Sequence, residues 1–261
     1  MLKFKWSFFK DMNSLVYPFF SFLTIFLLWE FGIKYIGIPE YLIPKPTEVI
    51  SNIFLNFKHF SLNAFYTLFE SVVGFLLGSI LGMLLAILIL FNRNLERILL
   101  PLAILIKVTP IIAYAPLLVI WFGFGVLPKI IISALIVFFP VLINAINGLK
   151  LVDQDTKDFF DSISASNFEM LIKLRMPNSL PYVFAAFRVT LPMAIVGATI
   201  GEYFSGGDKG LGSLIFVANY GLDLDTLFSC ALILAVISLI LILCLNYIEK
   251  KMVRWTFLDY S

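Results

Sequence analysis

The sequence predicts an all-α membrane protein: six transmembrane helices and one long cytoplasmic loop. Three observations carry this. Of 261 residues, 61% are hydrophobic and 14% charged, where soluble domains run roughly 45–50% apolar and about 25% charged. The apolar residues gather into six runs, most of them near the ~20 residues that a helix needs to cross a bilayer. The basic residues favour alternate loops. Nineteen Lys and Arg against seventeen Asp and Glu leave a net charge of +2, too little for electrostatic binding of nucleic acid. The expected surroundings are lipid.

The first run, Leu15 to Ile38, is interrupted by Glu30 and Lys34. It is longer than a signal-peptide core and no small-residue cleavage site follows, so it reads as an anchor. After it, Pro39 to Asn63 mixes polar and apolar residues. There Thr47 and Glu48 open an amphipathic stretch of Val49, Ile50, Ile53, Phe54 and Phe57, expected to lie along the outer interface. Val72 to Phe91 is the second run. Ile98 to Phe124 is the third; Lys107 lies inside it, and Pro101, Pro110 and Pro116 are expected to kink or interrupt it. Ile130 to Leu149 is the fourth, Arg188 to Phe204 a shorter fifth, and Thr226 to Ile248 the sixth. Cys230 and Cys244 share that last run 14 positions apart, about 21 Å on a helix and beyond disulfide reach.

Six spans put both termini on one side. The loops of that side carry thirteen Lys and Arg against five on the other, which assigns both termini to the cytoplasm.

The loop between spans four and five, Lys150 to Phe187, is too long to be structureless. Asp153 can cap a short helix presenting Phe159, Phe160 and Ile163. Ser166 and Glu169 have capping-box spacing and start a second helix, which Pro177 and Pro181 are expected to end. Two short helices joined by a tight turn read either as a docking knob or as an amphipathic pair resting on the membrane surface.

Other polar candidates are few. Lys107 and Glu202 are ionisable groups within spans, either functional or solvated at an interface. Asn144 and Asn147 share a helix face and either line a polar pathway or bond across helices. Gly201 and Gly206 have phosphate-loop spacing, but Gly207 and Asp208 stand where Lys and Ser or Thr are needed. One histidine, His59, excludes chemistry built on histidine pairs. With no cysteine-histidine set and no paired carboxylates within the spans, the chain does not read as an enzyme. A secondary transporter or channel would lead one to expect inverted repeats or acidic relays instead.

The cytoplasmic loop resembles the signature of permease subunits of bacterial ATP-binding-cassette (ABC) importers: Glu-Ala-Ala, three residues, Gly, nine residues, Ile, one residue, Leu-Pro. The register is kept by Asp158-Phe159-Phe160, Ser164, Leu174 and Met176-Pro177, although only Pro177 matches in identity. Where glycine stands in the family, Ser164 suggests a turn of another shape. Thr109 to Leu117, Trp121-Phe122-Gly123-Phe124-Gly125, Phe138-Phe139-Pro140, Leu180-Pro181-Tyr182, Gly201-Glu202 and Gly210-Leu211-Gly212 follow in order. They look like the branch serving sulfonate, nitrate, taurine, thiamine precursors and riboflavin.

The resemblance implies the type I ABC importer permease fold. Residues 64–250 would be its core, 150–187 its coupling loop, 1–63 an N-terminal helix with an outer segment, and 251–261 a cytoplasmic tail. It further implies a bacterial inner-membrane location, a second permease copy, an external substrate-binding protein and a separate ABC ATPase subunit. That subunit would use the ATP, with no cofactor bound by this chain. Asp158, Phe159, Phe160, Ile163, Ser164, Phe168, Leu174 and Pro177 would contact the ATPase. Lys107, Asn144, Asn147 and Glu202 are the candidates for a substrate pathway. The glycine and aromatic motifs look somewhat more like permeases for pyrimidine-type vitamin precursors or riboflavin than those for sulfonates.

Overall fold

The computed structural model describes residues 13–37, 39, 42–206 and 209–253. Lys3, Lys5, Lys10, Gly207, Asp208 and Arg254 lie outside the described residues, as does most of the 251–261 tail; so do the side chains of Arg93 and Lys107. All regular structure among the described residues is helical. In chain order the helices are α1 (Asn13–Ile36), α2 (Pro46–Leu55), α3 (Phe57–Phe91), α4 (Arg93–Val108), α5 (Ile111–Phe122) and α6 (Val126–Lys150). Then come α7 (Gln154–Ser162), α8 (Asn167–Met170), a π turn (Leu171–Arg175), α9 (Met176–Ser205), α10 (Leu211–Gly221) and α11 (Leu224–Met252).

Helix α6 is the centre, with α3 on one side and α9 on the other. Its Ile132, Val137, Val141, Leu142, Ala145 and Leu149 are fully buried. The contact is made with small residues. A Cβ on Gly78 of α3 would sit 2.4 Å from the Ala134 carbonyl of α6, and one on Gly74 2.5 Å from Ser133. From α9, a Cβ on Gly197 would lie 2.8 Å from Ser133 Cα and one on Gly201 2.7 Å from Lys129 Cα. Lipid tails are as apolar as leucine, so helices in a bilayer associate through this kind of close packing. The contacts make α3 parallel to α6, and α9 antiparallel to it. Measured from the Gly74–Ser133 contact, α3 begins about ten residues, or ~15 Å, beyond the first residue of α6.

Among the described residues, four helices are long and apolar enough to cross a membrane: α3, α6, α11 and the 39-residue run Asn167–Ser205. Helix α1 has 24 residues. The predicted third span is two helices. Thr109 is extended (φ −71°, ψ 127°) ahead of Pro110, as sterics require of a residue before proline. Helices α4 and α5, of 16 and 12 residues, therefore reach about 24 and 18 Å, each short of a ~30 Å core. Pro101 and Pro116 sit inside α4 and α5 without ending either.

A second expectation is corrected at Pro177 and Pro181, which do not end the helix begun at Asn167. The chain runs through the π turn, where Met176 N–H donates to Leu171 C=O, straight into α9. The extra residue of a π turn shifts the hydrogen-bond register, and Pro177 then enters at the start of the α-helical segment, where a missing N–H costs least. The apolar run predicted to start at Arg188 is for the same reason part of a helical run that begins well before it. At ~58 Å the run is about twice the hydrocarbon thickness, so its first part stands outside it.

Helix α2 forms over the predicted stretch as far as Leu55, while Phe57 opens α3; at its start Glu48 Oε2 accepts Lys45 N–H at 2.9 Å. Its Val49 is buried and its Asn52 donates to Ser229 of α11 (3.2 Å), while Phe54 and Leu55 are exposed. Cys230 is buried and Cys244 exposed on α11, both free.

Replacing Gly78 by leucine is expected to destabilise the detergent-solubilised protein by about 1–3 kcal/mol or more, because α3 must move off α6. Gly32→Ala meets nothing within 4 Å and is expected to be neutral or to stabilise by up to ~1 kcal/mol. Thermal melting of both variants checks the contrast.

Candidate functional site

The α7–α8 loop is built by local rules. Asp153 Oδ2 accepts Thr156 N–H (3.2 Å) and starts α7. At the other end, Ala165 N–H donates to Phe160 C=O and Ser164 N–H to Asp161 C=O, both 3.0 Å. This pair of bonds is the Schellman ending, which puts one residue in the left-handed region. That residue is Ser164, at φ +53°. The expectation of a different turn is corrected: the serine adopts the backbone that glycine would take, held there by the two bonds and by the next helix. Ser166 and Glu169 form the predicted capping box: Glu169 N–H donates to Ser166 Oγ (3.2 Å) and Ser166 N–H to Glu169 Oε2 (3.0 Å). The Ser166 N–H and then the Lys173 ammonium hold the Glu169 carboxyl at about 2, well below the usual carboxylate range. A depressed carboxyl stabilises the fold above the ordinary carboxylate range and loses that effect only as pH falls towards 2, so the cap persists through mild acid.

The knob displays apolar side chains. Phe159, Ile163 and Phe168 are 60%, 58% and 67% exposed. Phe160 is half-buried, its ring edge-on to Phe159 at 6.1 Å, and Leu174 and Pro177 are half-buried beneath. Asp158 is exposed and accepts Gln154 Nε2–H at 2.7 Å. The base is rigid. Arg175 Nη1 donates to Leu149 C=O (3.0 Å), and Asn178 Nδ2 donates to Gly148 C=O (3.1 Å) and to Leu151 C=O. The orphan carbonyls at the end of α6 are thus satisfied from the start of α9. Both ends of the loop are tied to one spot.

The other four candidates do not come together. The side chain of Lys107 lies outside the described residues, its backbone in α4. Asn144 donates to Pro140 C=O (2.8 Å) in its own helix, and Asn147 is exposed; among the described residues neither bonds across helices. Glu202 is not at an interface. It is fully buried, at the end of the bundle far from the knob.

There the structure assembles a polar cluster that the sequence reading missed, and it corrects the expectation of no paired carboxylates within the spans: Glu70 of α3 and Glu202 of α9 are both buried in it. Glu202 Oε1 accepts Thr67 Oγ1–H (2.7 Å) and Oε2 accepts Gly212 N–H (2.6 Å). Thr67 Oγ1 in turn accepts Leu211 N–H (2.8 Å), and Asn63 Oδ1 accepts Gly210 N–H (2.8 Å). Three backbone N–H groups at the start of α10 are thereby held, and a buried carboxylate sits at the positive end of that helix. Gly210, at φ +108°, leaves no room for a Cβ, which would fall 2.2 Å from the Glu202 carboxyl. Alongside, Lys129 Nζ donates to Glu70 Oε1 (3.1 Å) and to Lys209 C=O (3.2 Å). Lys129 is 5% exposed and Glu70 1%, so Lys129, counted among the loop charges, is an interior residue. The available signal was the run Asn63, Thr67, Glu70, Gly74, Gly78: polar, then small, on one face of α3. No group of three or more metal-ligating side chains occurs among the described residues.

Residues 74–254 match the family model of the binding-protein-dependent transport system inner membrane component. The chain belongs to this family. It is 32% identical over 230 residues to a probable ABC transporter permease protein of Haemophilus influenzae, covering 88% of this chain and 94% of that one. It is 29% identical over 239 residues to the formylaminopyrimidine transport permease protein ThiX of Halalkalibacterium halodurans, covering 91% and 95%. The fold resembles a chain of the inward-facing MetNI methionine ABC transporter, with a TM-score of 0.60 at 18% identity over 74% of this chain and 93% of that one. This inner-membrane permease component is therefore a multi-pass protein of helices, as its apolar spans require.

Because a non-glycine residue in the left-handed region costs about 1–2 kcal/mol, Ser164→Gly in this permease component should stabilise the α7–α8 turn by ~1 kcal/mol. Slower amide exchange at Ser164 and Ala165, with no change in α6, is the expected reading.

Proposed function

We propose that this permease component is half of the membrane channel of an ABC importer. It pairs with a second copy and takes a small organic nutrient from an external binding protein. A separate ATPase subunit binds and hydrolyses the ATP, and no cofactor is held by this chain. The observation that carries this is the knob of residues 158–177. Three large apolar side chains stand in the open on two capped helices whose base is tied to both α6 and α9. An exposed apolar patch on a rigid mount is a contact surface, and movement of it must move the bundle.

The proposal has six spans: α1, α3, the α4–α5 pair, α6, α9 and α11, with both termini in the cytoplasm. The excess of Lys and Arg in the loops of that side, which remains when interior Lys129 is set aside, supports that orientation. The end bearing Glu202 then faces outwards. There the projecting part of α3, with α2, α10 and the start of α11, surrounds a cavity of about 530 Å³ lined by Asn52, Asn56, His59, Asp223 and Asp225 among others. This offers a binding protein a shaped surface. For substrate we favour a pyrimidine-type vitamin precursor or riboflavin, supported by the glycine and aromatic motifs and by the likeness to a formylaminopyrimidine permease. Nitrate or a sulfonate such as taurine is the second reading, since a binding protein can supply selectivity to a pathway poor in charge.

Ile163→Glu should leave the protein inserted while abolishing co-purification with the ATPase and ATP-driven uptake. Full uptake by that variant would reject the docking surface. In intact cells, a cysteine introduced at Asp155 should resist a membrane-impermeant thiol reagent and react once the cells are opened; labelling from outside would reverse the topology. Uptake of taurine or nitrate, but not of a labelled pyrimidine or flavin, by the reconstituted transporter would select the second substrate reading.

A further inference from the structure

The corner where α10 turns into α11 holds an apolar side chain in a strained and open position. Asp223 N–H donates to Ala218 C=O (2.9 Å), a helix ending that puts one residue in the left-handed region and usually gives that place to glycine. Here the residue is Leu222, at φ +52°, a backbone unfavourable to any side chain with a Cβ. The leucine is not compensated by burial, because its side chain is 79% exposed. Tyr220 and Val217, at 75% and 64%, are open as well. The corner is firmly mounted. The first three N–H groups of α10 are held by Asn63, Thr67 and Glu202, and Ser229 of α11 donates to Val49 C=O (3.3 Å) and accepts from Asn52 (3.2 Å). Val217 also lines the cavity of about 530 Å³. Exposed Asp223 and Asp225 stand on the wall of that cavity with Asn52, Asn56 and His59, and among the described residues no Lys or Arg does.

Open apolar side chains at the end of a membrane bundle are covered by lipid or by protein. A segment lying among lipid headgroups carries Lys and Arg on its polar side, whereas this corner carries two aspartates. The family to which the chain belongs is binding-protein-dependent, and on the importer reading, on which this inference rests, the corner faces outwards. We propose that the α10–α11 corner is the seat of the external binding protein. That protein lays an apolar patch over Leu222 and Tyr220 and sends a lysine or arginine side chain into the cavity to meet Asp223 and Asp225. Charges of opposite sign steer the encounter and fix its orientation, and the apolar contact beside them holds the complex. Because both helices are already anchored, no segment of this chain has to be ordered when the partner arrives. A leucine in place of glycine at position 222 then has its reason: the side chain is left open for a partner to bury.

The test uses proteoliposomes that hold this permease with its ATPase, to which the purified binding protein, loaded with labelled substrate, is added over a range of concentrations. Leu222→Gly should melt at or above the parent temperature, since glycine takes the left-handed backbone freely. It should nevertheless need roughly tenfold more binding protein for half-maximal uptake, at the same maximal rate. Should it not fold, Leu222→Asn, which also tolerates that backbone, gives the same reading. Asp223→Asn combined with Asp225→Asn keeps the start of α11, because asparagine caps a helix as well as aspartate. That variant should also raise the half-maximal concentration roughly tenfold, and should lose most of the salt dependence that the parent shows. If both variants keep the parent half-maximal concentration, or if only the maximal rate falls, the corner is not the seat. Lipid cover is tested in intact cells: Val217→Cys, in a Cys244→Ser background, should react with a membrane-impermeant thiol reagent and be protected when the binding protein is present. No reaction would place the corner in lipid and overturn the proposal. A parent that shows no ATP-driven uptake overturns the importer reading and the corner with it, whereas uptake by the parent with either failure above overturns the corner alone.

Discussion

The close approach of α3 and α9 to α6 is the constraint on which the rest of the structure depends. It converges on Ser133, whose hydroxyl lies 2.9 Å from the Ala194 carbonyl and 3.4 Å from that of Ser71. Glycines at 74 and 197 leave space only for that side chain. With backbones this near, helix axes cannot slide by a fraction of a turn without collision, so the register of the three helices is set along their whole length. One turn further along, the same register brings Lys129 beside Glu70 and next to Gly201. At the opposite end it brings Gly148 against Ser179, whose Cα would lie 2.8 Å from an added Cβ. Both ends take their geometry from the middle.

The two ends are built differently, and the difference follows from solvent. The knob stands in water, where local hydrogen bonds can be completed within a few residues: a cap at Asp153, a Schellman turn at Ser164, a capping box at Ser166. Its exposed Phe159, Ile163 and Phe168 are then free to meet a partner. The opposite end is buried at its centre, so its polar groups are matched by other helices. Glu202 does this by accepting from a side chain of α3 and a backbone N–H of α10 at once. The π turn lies between these regimes, where a helix rooted in the bundle becomes the arm that carries the knob.

Arg188 and Glu249 show the same economy on the outer ring. Their paired side chains join α11 to α9, while most of α11 presents apolar residues such as Val236, Leu239, Ile240 and Leu243 outwards. A helix that is hydrophobic on its exposed face needs lipid or another chain around it. A half-buried charge pair, together with Cys230 and Leu245 packed into the apolar core, joins it to the bundle.

Residues close in sequence were legible, because their chemistry acts within one or two turns. Asp153, Ser166 with Glu169, most of the amphipathic stretch from Val49 and the long apolar runs all declared themselves, as did the interruption of the third run, though not which of its three prolines makes it. The site of the α7–α8 knob was readable on those grounds alone. Contacts across long separations were not. Glu70 and Lys129 are 59 positions apart, Thr67 and Glu202 135, and a lone acid in an apolar helix looks the same whether it meets lipid headgroups or a lysine. Pro177 misled for a related reason: proline ends an isolated helix, but here Arg175 and Asn178 bond to the end of α6 and carry the helix through a π turn. Local propensity and patterning thus set which segments became helices and where the exposed knob would stand. Only packing decided which buried charges met, because pairing depends on the register that Gly74, Gly78, Gly197 and Gly201 impose across three helices, and no single segment carries that register.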